Sequence, residues 1–262
     1  SPHTDIKFGF YTILLSECKC EAYAYGHQYC DFSDGTLVCL TPGESISMKE
    51  NNKEFPSKGW ILAFHPDLIC GTPLGLNIHN YTFFSYCPEE ALHLSLREKQ
   101  IILEFLERIR QELERCIDRH SKKIISKYIE LLLDYCTRFY ERQFITRSEV
   151  NKKVFREFNH LLDNHFNVKV SLSTDVLSDE YCANLLHLSP AYFNDLLKYE
   201  IGKEFKEYIQ FKRFEIAKGW LVNTDKTLGQ IAQELGFSNS QYFSRLFKKI
   251  TGCSPNEFRM PN

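Results

Sequence analysis

Near the C-terminus, Gln241, Arg245 and Lys248 recur at intervals of four and three, the spacing that lines up side chains on one face of a helix. Ser240, Tyr242, Ser244 and Lys249 complete the set of contact candidates. Their chemistry suits a DNA duplex: Gln and Arg make bidentate contacts to adenine and guanine edges, and lysines suit phosphates. Fifty residues earlier, the equivalent outward positions hold Ala191, Asn194, Asp195 and Lys198. This earlier set is the poorer reader. The Asp195 carboxylate repels phosphate, although it can accept from a cytosine amino group. An ordinary solvated face is the competing explanation. For Gln241 and Arg245, their place in a repeated module favours DNA.

Other reactive groups gather less well. Cys18, Cys20, His27 and Cys30 are ligand types that zinc accepts, but no CxxC pair or second knuckle accompanies them. The spacing therefore predicts no metal site. His27, His65, His79 and His93 stand apart, and no nucleophile–base set, phosphate loop or carboxylate pair is visible, so no catalytic residue is expected. Tyr23, Tyr25, His27 and Tyr29 alternate as one face of a strand would. They are candidates to line an effector pocket, or else belong to the core.

These groups need elements to hold them. Residues 6 to about 90 read as β: short apolar runs at Tyr11–Leu15, Leu37–Leu40 and Trp60–Phe64 are separated by Gly- and Pro-bearing turns, which suggests a barrel or sandwich. At Ser95 the period changes. Ser95 and Glu98 form a capping box, and Ile101, Ile102, Phe105, Leu106, Ile109, Leu113 and Cys116 follow at helical spacing. A second helix is expected from about Ser121 to Tyr140, with Ile124, Ile125, Ile129 and Leu132 among its inward positions. The surplus apolar stripe of this hairpin predicts a homodimer interface, with a purely intramolecular hairpin as the alternative.

Beyond Glu149 the chain reads as all helix, with a repeat at an offset of 50. Leu185 matches Leu235, Tyr192-Phe193 match Tyr242-Phe243, and Gly202 matches Gly252. Each copy reads as helix, turn, helix, over about residues 178–201 and 227–251. A helix over about 203–221 joins them, with Phe205, Tyr208, Ile209, Phe211 or Lys212, Ile216 and Leu221 as its core candidates. Leu246, Phe247 and Ile250 are expected inward in the second copy. Such a linker spans roughly 28 Å. Successive major-groove faces lie about 34 Å apart, so it suits two helices in adjacent grooves.

Composition agrees. The 262 residues are 43% hydrophobic and 25% charged, which excludes disordered and fibrous classes, and no apolar run is long enough for a membrane span. Residues 1–149 hold 17 basic against 21 acidic side chains, and residues 212–262 hold 8 against 4. That asymmetry points weakly to a polyanion at the C-terminal end. The ten cysteines, most of them in apolar runs, read as free buried thiols in a reducing compartment. Ser1-Pro2-His3-Thr4 lacks the pattern of a secretory signal, and the absence of an initial Met leads us to expect a trimmed start.

The stretch Ile231-Ala232, Leu235-Gly236-Phe237-Ser238, Tyr242-Phe243-Ser244-Arg245, Phe247-Lys248-Lys249, Thr251-Gly252, Ser254-Pro255 and Phe258-Arg259 resembles the signature of AraC/XylS-type transcription regulators, over about residues 175–260. The resemblance implies a two-domain α+β chain. A cupin-like β-barrel (1–94) would bind an effector, a helical hairpin (95–148) would dimerise, and an all-α double helix-turn-helix domain (149–262) would bind promoter DNA. It implies a bacterial, cytoplasmic, nucleoid-associated regulator that uses no cofactor, with double-stranded DNA, a small-molecule effector, a second copy and RNA polymerase as partners. Asp195 departs from the usual basic or polar residue, and the family's N-terminal arm is expected to be short or missing. Two rivals remain: a regulator governed only by protein partners, and a cupin-type enzyme fused to a DNA-binding domain. A cupin metal motif needs a close His-x-His pair, which the isolated histidines do not supply.

Overall fold

The computed structural model describes residues 5–7, 9–16, 35–47, 58–168 and 177–260. The chain divides into two compact units, Ser1–Glu149 and Val150–Asn262.

The first unit holds strands β1 (Asp5–Lys7), β2 (Tyr11–Ser16), β3 (Gly35–Leu40), β4 (Ser45–Ser47), β5 (Gly59–Phe64) and β6 (Leu92–Leu94). β1 pairs with β4, and a second antiparallel sheet has the order β5-β2-β3-β6. Alternation buries Ile13 and Leu15 of β2 opposite Cys39 and Leu37 of β3. Where a barrel or sandwich was expected, the described residues form two open sheets. Among the described residues β5 and β6 each have a single strand neighbour.

The free edge of β6 is sealed by side chains. Gln143 accepts from the His93 amide at 2.8 Å and donates to the Ala91 carbonyl at 3.1 Å. Arg142 donates to the His93 carbonyl at 2.7 Å and grips Glu98 through two hydrogen bonds. Backbone groups that would otherwise sit unpaired in the interior are thereby satisfied.

Short helices α1 (Pro66–Ile69) and α2 (Pro73–Asn77) lead through three 3-10 turns to β6. The hairpin follows as α3 (Leu96–Glu114) and α4 (Ser121–Thr146). Ser95 and Glu98 make the expected reciprocal cap. Ile102, Leu106 and Ile109 of α3, and Ile125, Ile129, Leu132 and Cys136 of α4, are buried. Leu113, Cys116 and Ile124, expected inward, are exposed. Cys116 lies beyond the end of α3, where the backbone turns extended at Arg115 and the helical period no longer applies. The thiols also differ from expectation: Cys39, Cys136 and Cys182 are buried, but Cys70, Cys87 and Cys116 are exposed. They sit in turns or at helix ends, outside the regular faces that bury a side chain. Among the described residues no helix is long and apolar enough to cross a membrane.

The second unit holds α5 (Ser148–Val168), α6 (Asp179–Leu185), α7 (Pro190–Ile201), α8 (Phe205–Asn223), α9 (Leu228–Glu234), α10 (Ser240–Thr251) and α11 (Pro255–Arg259). It is built on two aromatic cores. Phe158, Phe193, Leu197, Phe205 and Tyr208 belong to the first, and Phe214, Leu221, Ile231, Phe243 and Phe247 to the second. Phe166 of α5 packs against both. Tyr208 also donates to Asn159 Oδ1 of α5 at 2.6 Å.

The connecting helix α8 serves both cores with different faces. Phe205, Tyr208 and Ile209 point to the first; Phe214, Ala217 and Leu221 point to the second. At 3.6 residues per turn those two sets lie about 150° apart. A single expected stripe therefore misplaced its middle: Phe211 is exposed, Ile216 is only partly buried, and Phe214 and Ala217 fill the core instead.

Candidate nucleic-acid interface

Two helix-turn-helix units stand in the second domain, α6–α7 and α9–α10. Each supporting helix ends on a left-handed residue and closes on a buried alanine. The Leu188 amide donates to the Ala183 carbonyl at 2.9 Å, and the Phe237 amide to the Ala232 carbonyl at 2.8 Å. The left-handed positions are His187 (φ 55°) and Gly236 (φ 73°). These pairs are 49 residues apart, whereas α7 and α10 start at Pro190 and Ser240, 50 apart. The first turn is one residue shorter. Leu185, read from sequence as the partner of Leu235, is accordingly 46% exposed while Leu235 is 1% exposed. Leu186 takes the core position instead. The recognition helices end alike, on Gly202 (φ 66°) and Gly252 (φ 85°), in a conformation that glycine adopts without a Cβ clash.

In α10, Asn239 caps the helix by accepting from the Tyr242 amide at 2.7 Å. Phe243 and Phe247 anchor it in the core, with Leu246 partly buried beside them. Ile250, expected inward, is exposed, because it falls past the last core contact near the helix end. The opposite side presents Gln241, Tyr242, Arg245, Lys248 and Lys249, all exposed, with Ser240 and Ser244 half-buried at its margin. The Arg245 guanidinium lies 5.6 Å from the Tyr242 ring centre, which orients it while leaving its donors open. Among the described residues, none of Arg245, Lys248 and Lys249 has an acidic partner within 4.0 Å. Lys248 does sense Glu257, whose carboxyl is held below the ordinary range first by its hydrogen bonds to Ser254 and then by Lys248.

The equivalent face of α7 is occupied from within. Ser189 caps the helix by accepting from the Tyr192 amide at 3.2 Å, and Pro190 opens its first turn. Asn194 donates to Asp179 Oδ2 of α6 at 2.9 Å and to the Pro190 carbonyl at 3.0 Å. Lys198 pairs with Glu204 at 3.0 Å, a contact that raises the lysine pKa. Ala191 and Asp195 are half-buried. Sequence reasoning placed Asn194 and Lys198 on the outward face but missed that Asp179 and Glu204 engage them. Tyr23, Tyr25, His27 and Tyr29, and with them Cys18, Cys20 and Cys30, lie outside the described residues.

A paired helix-turn-helix domain with one cationic, uncompensated recognition helix is the architecture of a DNA-binding module. Residues 182–260 match the family described as "Helix-turn-helix domain". The chain is similar to an uncharacterised HTH-type transcriptional regulator, YtdP, of Bacillus subtilis, with 33% identity over 42% of this chain and 14% of YtdP. It is 32% identical to the arabinose operon regulatory protein of Salmonella typhimurium, over 38% of this chain and 32% of that protein. Among solved structures it resembles the C-terminal domain of AraT, a response regulator from Geobacillus stearothermophilus: 32% identity, 40% of this chain, 83% of that chain, TM-score 0.35. The C-terminal domain belongs to the AraC-type helix-turn-helix family. The chain spans well under half the length of several curated relatives, from 14% to 41%.

Proposed function

We propose that the whole chain is a sequence-specific DNA-binding transcription regulator in which α10 reads base edges and α7 mainly positions the domain on the duplex. The observation that carries this reading is the α10 face, where Arg245, Lys248 and Lys249 stand beside Gln241 without acidic partners among the described residues. In α7, by contrast, Asn194 and Lys198 already have partners. Arginine and glutamine supply bidentate readout, and the two lysines supply phosphate contacts.

The front unit is assigned the cupin-like effector role and the dimer contact. Tyr23, Tyr25, His27 and Tyr29 remain the effector-pocket candidates on the strength of their alternation in sequence. The dimer assignment rests on the outer face of α4, where Ile124 and Leu131 are exposed beside half-buried Tyr128 and Tyr135. RNA polymerase contact and a place on the bacterial nucleoid follow from the regulator role. The test is an electrophoretic shift of promoter fragments by the full chain and by residues 150–262. Both should bind, with affinity falling steeply as salt rises. Salt-insensitive binding, or none to any genomic fragment, overturns the reading.

A further inference from the structure

Away from the DNA-binding domain, the first unit carries a cleft of about 340 Å³ between the α1–α2 turn and the start of α4. Arg119, Lys122, Lys123 and Lys127 line it, opposed by the single carboxylate of Glu130. Lys127 approaches Glu130 at 3.8 Å. Among the described residues, Arg119, Lys122 and Lys123 have no acid within 4.0 Å. Hydrogen bonds tie α4 to the turn across the cleft: Ser126 donates to Thr72 Oγ1 at 3.1 Å, and Thr72 donates to the Ile69 carbonyl at 2.6 Å while accepting from the Gly75 amide at 3.2 Å.

The positive end of the α4 dipole is not the source of attraction. Asp118 already caps it, accepting from the His120 amide at 2.7 Å and the Ser121 amide at 3.0 Å. The side chains supply the field instead. A merely solvated basic face would spread its charges over a convex surface; here Arg119, Lys122 and Lys123 line a concavity without acidic partners among the described residues, where potentials add. The volume sits at the low end of the range for small-molecule sites.

We propose that this cleft binds a compact, multiply charged anion, a phosphate ester or a polycarboxylate, through Arg119, Lys122 and Lys123. The site uses none of the residues suggested above for an effector, and it stands whether or not the chain binds DNA. The experiment is calorimetric titration of the full chain, at low salt and without DNA, with pyrophosphate and separately with citrate. One saturable equivalent of either anion is the expected result, and the stronger of the two identifies phosphate or carboxylate as the recognised group. K122Q/K123Q should weaken binding about tenfold or more, the scale expected for removing two charges near a surface site. K248Q/K249Q, which discharges the rival cationic face on α10, should leave it unchanged. Glu130→Gln removes the opposing carboxylate and should tighten binding, a gain that loss of folding cannot mimic. No saturable binding, loss in K248Q/K249Q alone, or weaker binding in Glu130→Gln overturns the proposal.

Discussion

The Asn194 side-chain amide donates to Asp179 Oδ2 at 2.9 Å, fastening the first recognition helix to the helix that supports it. The second helix-turn-helix has no such clasp: the equivalent positions hold Ser244 and Leu228. One recognition helix thus spends its central amide on its own fold, and the other leaves its polar face open. Asn194→Ala should therefore act on stability, costing about 1 kcal/mol, the usual net worth of a hydrogen bond. Thermal melting of residues 150–262 measures that cost, and competition among single-base operator variants measures specificity. Lost discrimination at one base with unchanged melting would show that Asn194 leaves Asp179 to reach DNA.

Much of this arrangement was legible in the residues, and the failures have physical causes. Ile102, Leu106, Ile109 and Phe247 could be placed inward because large apolar residues at helical spacing have one way to be buried. The cap at Ser95 was visible because side-chain capping is local. Leu185 was misread because identical letters at a fixed offset conceal a one-residue change in turn length. Phe211 was misread because a helix wedged between two cores has two apolar faces, and a single stripe averages them. The engagement of Lys198 by Glu204 depends on how the chain turns at Gly202, which spacing alone does not disclose.

Adjacent residues on α4 separate the proposed dimer contact from folding. Leu131 is 45% exposed and Leu132 is 0% exposed. Leu131→Glu should leave the helical circular dichroism intact and shift the sedimenting species from dimer to monomer. Leu132→Glu should unfold the first unit, since an unpaired charge in a packed core costs several kcal/mol. A wild-type chain that sediments as a monomer at high concentration, or a Leu131→Glu variant that stays dimeric, removes this face from consideration.

Acid should weaken the C-terminal domain through His165 of α5. Burial first, and then the charge of Arg213, lower its pKa below the ordinary 6.5. The folded domain favours the neutral ring, so the unfolded chain takes up a proton first as pH falls. The contribution is complete above about pH 6.5 and is lost as pH drops through the lower folded value. The melting temperature of residues 150–262 should decline over that window, and His165→Gln should flatten the decline. Parallel curves for wild type and variant would locate the acid sensitivity elsewhere.

The α10 face itself can be divided into reading and holding. Arg245 presents a planar fork of donors, so Arg245→Ala should cost roughly 1–3 kcal/mol in specific binding and relax a single base position. Lys248 has no base-like geometry to match. Its replacement by Ala should weaken all sequences alike and reduce the salt slope by about one unit. Asp195→Ala on α7 should leave affinity unchanged or raise it, because an anion near the phosphates is removed. Fluorescence-anisotropy titrations on the operator and on random DNA, each at two salt concentrations, distinguish the three behaviours. A loss of specificity in Asp195→Ala together with an indifferent Arg245→Ala would invert the assignment, making α7 the reader and α10 the clamp.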